Sequence, residues 1–231
     1  MAEITELPAK NNIHQTQILA ALFSPAMPIG AFSYSNGLEA AIHAFDVKDA
    51  DTAQGWIETI LIGGSGRNDA IFMAQAHKAA GGSDLEREIA AINELAVALS
   101  SGAERAQETL ELGANFTRIA AQVYKIDLGE LPPLAYPVAA GIAARRLGCD
   151  LSLSLTFFTQ SFVANLISVA VRTVPIGQSD GQIILTNLMP VAAAIADEAA
   201  RASLDDVGGY AVLADHAAIA HETQEPRIYR T

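Results

Sequence analysis

Residues 151–174, LSLSLTFFTQSFVANLISVAVRTV, decide what kind of protein this is. The stretch is long enough to cross a bilayer as a helix. It also carries Thr159, Gln160, Ser161, Asn165, Ser168 and Arg172, which point in several directions around a helix. Polar groups on several faces are costly in lipid. The stretch therefore reads as the core helix of a protein with no membrane span, buried on nearly all sides.

The rest of the chain agrees with a helical core. Hydrophobic residues make up 51% of 231 residues, charged residues 17% and aromatics 6%. The apolar content is thus largely aliphatic and rich in alanine, which favours helix and is depleted in strands. Residues 85–99 place Leu85, Ile89, Ile92, Leu95 and Leu99 at helical spacing. No stretch alternates strictly between hairpin turns, and none repeats at a fixed period. The expectation is an all-α fold, a single compact bundle of about ten helices over residues 1–231. A frayed start covers about 1–12 and an irregular tail about 205–231.

Working outward, helices are expected at 13–23, 36–45, 52–62, 65–80, 84–99, 103–124, 137–147, 151–174, 180–188, 190–202 and around 212–220. Asn36 is read as a cap with Glu39 at the third helical position. Pro190 is read as opening a separate helix at its first turn. The largest interruption, KIDLGELPPLAYP at 125–137, is too apolar for a linker between domains.

Residues 24–39, SPAMPIGAFSYSNGLE, are unusual. Pro25, Pro28 and Gly30 disfavour helix, yet Met27, Ile29, Phe32 and Tyr34 are too apolar for a solvated loop. Such a segment should lie in a groove of its own fold or of a partner. Tyr34 and Glu39 are expected to remain available to another protein.

The charge and chemistry exclude several classes. A net charge of −12 argues against nucleic-acid binding. The single cysteine, Cys149, rules out an intrachain disulfide and a cysteine-rich zinc site. It follows Gly148 in a turn near Arg145 and Arg146, which could lower a thiol pKa, although a small core or turn residue is the simpler reading. MAEITELPAK is no signal peptide. GGSGRND lacks the Lys-Ser/Thr of a phosphate loop and reads as a helix break. His216 and His221 stand about 140° apart around a helix, so they could converge on a metal only if the tail were not helical. No metal or cofactor site is expected. Ser24, Asp69 and His77 lack the flanking pattern of a hydrolase triad. An enzyme would need Asp69, His77 and Arg172 to converge. Arg172 otherwise serves unsatisfied carbonyls at a helix end, or is a cation offered to a partner. The terminal HETQEPRIYRT combines Arg227, Tyr229 and Arg230, residue types common at interface hot spots, with little core-forming content.

Three blocks together resemble the UreF family of urease accessory proteins. SPAMPIGAFSYSNGLE at 24–39 is similar to the family's SPxLPxGxFSYSxGLE. VANLISVAVRTVPIGQSDGQ at 163–182 is similar to its helix followed by VPLGQTxGQ. HETQEPRIYRT at 221–231 is similar to HETQxSRLFRS, with Pro226 in place of serine. The resemblance implies an all-α cytoplasmic homodimer without catalysis of its own. It implies binding to UreD (UreH), recruitment of the GTPase UreG, and action on apo-urease during nickel insertion. By position, Arg172, Pro175 and Gln178 match the helix-end segment implicated in GTPase contact. The tail residues His221, Glu222, Gln224, Arg227, Tyr229 and Arg230 are implied to order against UreD and to shape the GTPase-docking surface.

Overall fold

The chain's buried centre is a helix of small residues. In a computed structural model that describes residues 12–126 and 131–231, α4 (Ser65–Ala79) carries an almost unbroken buried run of Ala70, Ile71, Phe72, Met73, Ala74, Ala76 and His77. A helix buried on consecutive positions is enclosed all round. Four of its buried positions are alanines, which let neighbouring helices come close.

Ten α-helices and two short 3-10 turns form the bundle among the described residues, with no strand. The first three helices are α1 (Asn12–Leu22), α2 (Leu38–His43) and α3 (Ala50–Gly63), and the next two after α4 are α5 (Leu85–Ala98) and α6 (Ala103–Tyr124). The last four are α7 (Tyr136–Arg146), α8 (Leu151–Thr173), α9 (Gln178–Arg201) and α10 (Val212–His221). α4 touches α3, α5, α7, α8 and α9. The expected frayed start lies outside the described residues apart from Asn12, as do residues 127–130.

The closest approach is between α4 and α7. α7 is buried from Pro137 through Ala144. A Cβ placed on Gly141 would collide with the Met73 carbonyl and reach 3.0 Å from the Ala76 Cβ. Gly113 of α6 similarly faces the Leu134 carbonyl. The 131–135 segment is pinned by Asn93 of α5, whose Nδ2 donates to Pro133 O at 3.1 Å while its Oδ1 accepts from Ala135 N at 2.7 Å. Leu134 and Ala135 are buried.

Three local expectations change. The helices enclosed on nearly all sides are α4 and α7. α8 is only about half buried, with Ser152, Thr156, Gln160, Ser168 and Arg172 on its outer side. α8 and α9 are both long and apolar enough to span a membrane by length and composition, and they instead pack on each other across the short turn at 174–177. The two helices expected at 180–188 and 190–202 are one, Gln178–Arg201. Pro190 sits inside α9 on an exposed position, as does Thr186, so the carbonyl that loses its helical donor faces solvent. The buried stripe Ile184, Leu188, Ala192, Ile195 continues past it unbroken. Finally, Gly37 rather than Asn36 precedes α2. Asn36 takes a left-handed φ of 58° and its amide donates to Ser65 Oγ at 3.1 Å, tying the loop to the start of α4.

The α4–α7 approach leaves no room for a methyl group. Gly141→Ala is expected to lower stability by about 1–3 kcal/mol, read as a lower urea midpoint with an unchanged slope.

Candidate functional site

The sequence singles out two irregular segments, 24–39 and 221–231, and the fold brings them together. Residues 24–37 leave α1, turn at Gly30 (φ 90°), make a 3-10 turn at Ala31–Ser33 and reach α2 through Gly37 (φ 76°). Ile29 and Tyr34 are buried, and Met27 is partly buried against the core, while Phe32 is 66% exposed. The groove expected for this segment therefore belongs to its own fold. Ile29 O also accepts from Asn115 Nδ2 of α6 at 3.1 Å.

The tail lies across this segment and α6. Arg230 N donates to Ser33 O, and Ser35 N donates to Thr231 O, each at 2.9 Å. Glu39, at the start of α2, gathers the tail. Its Oε1 accepts from Ile228 N at 2.7 Å, and its Oε2 accepts from Tyr229 N at 2.9 Å and faces His221 Nε2 at 2.9 Å. His221 is fully buried, with its Nδ1 3.0 Å from Glu104 Oε2. Both ring nitrogens of His221 thus face carboxylate oxygens.

α6 supplies a row of carboxylates to the tail. Glu104, Glu108 and Glu111 share one helix face. Glu104 pairs with Arg227 at 2.5 Å. Glu108 accepts from Thr231 Oγ1 at 2.8 Å and pairs with Arg105. Glu111 holds both Arg230 guanidinium nitrogens, at 2.7 and 3.0 Å, and accepts from Tyr34 Oη at 2.7 Å. Arg230 also sits 5.3 Å from the Tyr34 ring centre. Glu222 Oε1 accepts from Glu104 N, supplying the helix cap that Gly102 lacks.

These contacts set the charge states. Hydrogen bonds from Arg230, Tyr34 and Gln107 hold the Glu111 carboxyl down at about 2. Burial pushes the Glu104 carboxyl upward, but hydrogen bonds from His221 and Arg227 outweigh it and leave it lowered. Burial, with the neighbouring Glu111, raises the Tyr34 hydroxyl.

The third block meets the other two through Arg172. Its Nε donates to Ser168 O at 2.8 Å and its Nη2 to Ser168 Oγ at 2.9 Å, so it serves a carbonyl near the helix end. Its guanidinium also lies 5.6 Å from the Tyr229 ring centre. The guanidinium is thus engaged within its own chain, by a helix carbonyl and by the Tyr229 ring. Pro175 and Gln178 lie on the exposed surface beside it.

Several site readings are altered. Tyr34, Glu39, His221 and Tyr229 are buried against their own chain rather than presented outward. Glu222 and Gln224 are half-buried, and Arg227 and Arg230 remain exposed. The tail has more core-forming content than its composition suggests, because Tyr229 and Thr231 are enclosed. Glu104, Glu108, Glu111, Ser35 and Thr231 were not singled out from sequence. The spacing of the three glutamates, 104, 108 and 111, was the available signal.

The enzyme alternative is not assembled. Asp69 and His77 stand eight residues apart on α4, a rise of about 12 Å. His77 Nε2 lies 3.0 Å from Cys149 O, while Arg172 is engaged with Ser168 and Tyr229. Burial lowers the His77 pKa. Cys149 is a buried core residue, and burial pushes its thiol up to about 11, opposite to activation by Arg145 and Arg146.

A helical bundle bearing this tail clamp has close relatives. The model of the UreF family matches residues 47–189. A urease accessory protein UreF of Ruegeria pomeroyi is 46% identical over 217 residues, covering 94% of this chain and 97% of that protein. One from Roseobacter denitrificans is 41% identical over 213 residues, covering 92% of each. One from Cereibacter sphaeroides is 46% identical over 213 residues, covering 92% of this chain and 97% of that protein. The chain thus stands among the urease accessory proteins. It belongs to the UreF family.

Two predictions follow from the clamp and its surroundings. Deleting residues 223–231 removes Ile228 and Tyr229 from Glu39, Arg227 from Glu104, Thr231 from Glu108 and Arg230 from Glu111. Stability is expected to fall by about 3 kcal/mol, a drop in Tm of about 6–12 °C. The second concerns pH. The folded Glu111 value lies below its ordinary 4.5, so its contribution is present above that value and is lost as pH falls toward about 2. Burial pushes the Asp69 carboxyl up to about 7 from 3.8, against the pull of Arg105, so stability is lost as pH rises through that interval. Asp69→Asn should remove the second effect: the variant's Tm should fall less than the parent's between about pH 5 and about pH 8.

Proposed function

We propose that this chain is a non-catalytic adaptor in urease maturation. It binds UreD, and the pair recruits the GTPase UreG to apo-urease, where nickel is inserted as GTP is hydrolysed. The working unit is a homodimer in the cytoplasm.

The observation that carries this reading is the convergence of the three motif blocks on one surface. Tyr34 and Glu39 come from the first block, Arg172 from the second, and His221 through Arg230 from the third. Residues 24–39 and 221–231 lie outside the 47–189 segment matched by the family model, yet they enclose each other. Buried contacts fix the backbone of this region, while Arg227, Arg230 and the 80%-exposed Ile228 face outward. A rigid base beneath exposed arginines and an apolar side chain suits protein recognition, where arginine and apolar anchors dominate affinity. The net charge of −12 adds an electrostatic preference for a basic partner.

The roles of the named residues divide accordingly. Arg227 and Arg230, with Pro175 and Gln178 beside Arg172, supply the contact surface. Tyr34, Glu39, His221 and Tyr229 hold it in shape from beneath. Glu222 and Gln224 belong to the turn that leads the tail off α10.

The test is co-expression with UreD and UreG followed by size-exclusion chromatography. Ile228→Asp should leave Tm within about 1 °C, because the side chain is exposed, and should abolish co-elution of the partners. Glu39→Gln should weaken co-elution together with Tm. The purified chain alone should hydrolyse no GTP. Unchanged co-elution by Ile228→Asp, Arg227→Ala and Arg230→Ala would remove the tail from the interface.

A further inference from the structure

Beneath the 24–36 segment lies a cavity of about 200 Å³, enclosed by α1, α4, α6, α7 and α8. A cavity of roughly 150 Å³ accommodates a benzene ring. Its lining includes six aromatic residues, Phe23, Tyr136, Phe158, Phe162, Phe32 and Tyr34. The first three form one cluster, with Phe23–Phe158 and Tyr136–Phe158 centroids 5.8 and 5.6 Å apart.

The lining is also charged. Asp69, Arg105 and Glu108 line it, and Arg105 and Glu108 are each 7% exposed. Arg105 is paired with Glu108, so its charge is already met, although its Nη1 makes no directed hydrogen bond. Glu108 further accepts from Thr231. Asp69 is different: among the described residues none hydrogen-bonds its carboxylate. Asp69 thus shares the Arg105 guanidinium with Glu108 and with the more distant Asp215, and, lacking a hydrogen bond of its own among the described residues, faces an aromatic-lined space. A carboxylate in such surroundings calls for a donor or a cation. Aromatic faces add attraction for a cation and supply apolar area for its body.

We propose that this cavity is a binding site for a small organic ammonium with an apolar body, its charged head on Asp69 and its body among Phe23, Phe158 and Phe162. The site shares Tyr34 and Glu108 with the inner side of the tail clamp but does not depend on the adaptor reading. The groups facing Asp69 are Arg105 and Glu108 from α6 and Tyr136 from α7, with Tyr34 from the loop on the same cavity. α8 contributes only neutral side chains to it. An ammonium head stabilises the charged form of Asp69, so binding below neutral pH is accompanied by proton release, and affinity rises with pH.

Three probes share one ring and differ in head charge: 2-phenylethylamine, 2-phenylethanol and 3-phenylpropionate. Each is titrated into the full chain by calorimetry and ligand-observed NMR. The amine is expected to bind with a Kd of about 1 mM or tighter, the alcohol about tenfold more weakly, and the carboxylate not at all. Asp69→Asn should reduce amine binding to the level of the alcohol and leave the alcohol unchanged. Its Tm checks that it folds. Ala164→Phe, which fills the cavity from α8, should abolish binding of both. Amine affinity should increase several-fold between about pH 6 and about pH 8. Equal binding of amine and alcohol overturns the proposal. So does amine binding that survives Asp69→Asn or Ala164→Phe, or an absence of amine binding at millimolar concentration.

Discussion

The structure depends on the close approach of α4 and α7. Helices separated by ordinary side chains cannot bring five neighbours onto one short central helix. α4 accepts them because Ala70, Ala74, Ala76 and Ala79 keep its surface thin, and α7 comes closest because Gly141 has no side chain to hold it away from the Met73 carbonyl. Close backbone packing raises the density of dispersion contacts without bulky side chains. This explains how a chain with 6% aromatics builds a continuous core.

Around that centre the fold sets α2, α6 and α10 where they can receive the tail. The tail is held mainly by charge complementarity and backbone hydrogen bonds. Glu39 accepts two tail N–H groups and faces His221, while Glu104, Glu108 and Glu111 meet Arg227, Thr231 and Arg230. Carboxylates clustered on one helix face repel one another unless counter-charges are supplied. The tail supplies them, and in return its backbone is fixed at positions that composition alone would leave loose. The exposed ion pair of Arg230 with Glu111 contributes modestly. The enclosed contacts at Glu39, His221 and Thr231 carry more of the anchoring, because an unmet polar group there is costly.

The helical pattern was readable at most positions because apolar spacing reports helix faces directly. α6 follows it closely and α5 shows it most plainly, whereas α10 buries Ala214, Ala217, Ala218 and His221 and leaves Val212, Leu213 and Ile219 exposed. Pro190 misled because proline stops a helix only where its lost hydrogen bond cannot be met, and here the freed carbonyl faces solvent. Residues 151–174 misled in degree: their hydropathy is high, yet α8 forms a wall rather than the centre. Hydropathy ranks how readily a segment leaves water; it does not say which of several apolar helices the others surround.

The sequence by itself determined the all-α class, the helix periods, the absence of nucleic-acid-binding charge and the three motif blocks. Each is a property of residue type and local spacing. Tertiary structure decided how those blocks are used. Contacts between positions as distant as Glu39 and Tyr229, or Tyr34 and Glu111, have no local signature. Only the folded chain shows that Tyr34 and Glu39 hold the tail from within, that Arg172 lies against Tyr229, and that Asp69 is left facing a cavity without a hydrogen-bond partner among the described residues. Burial and pairing are properties of three-dimensional neighbourhoods, and they turn the same side chains from an exposed surface into its foundation.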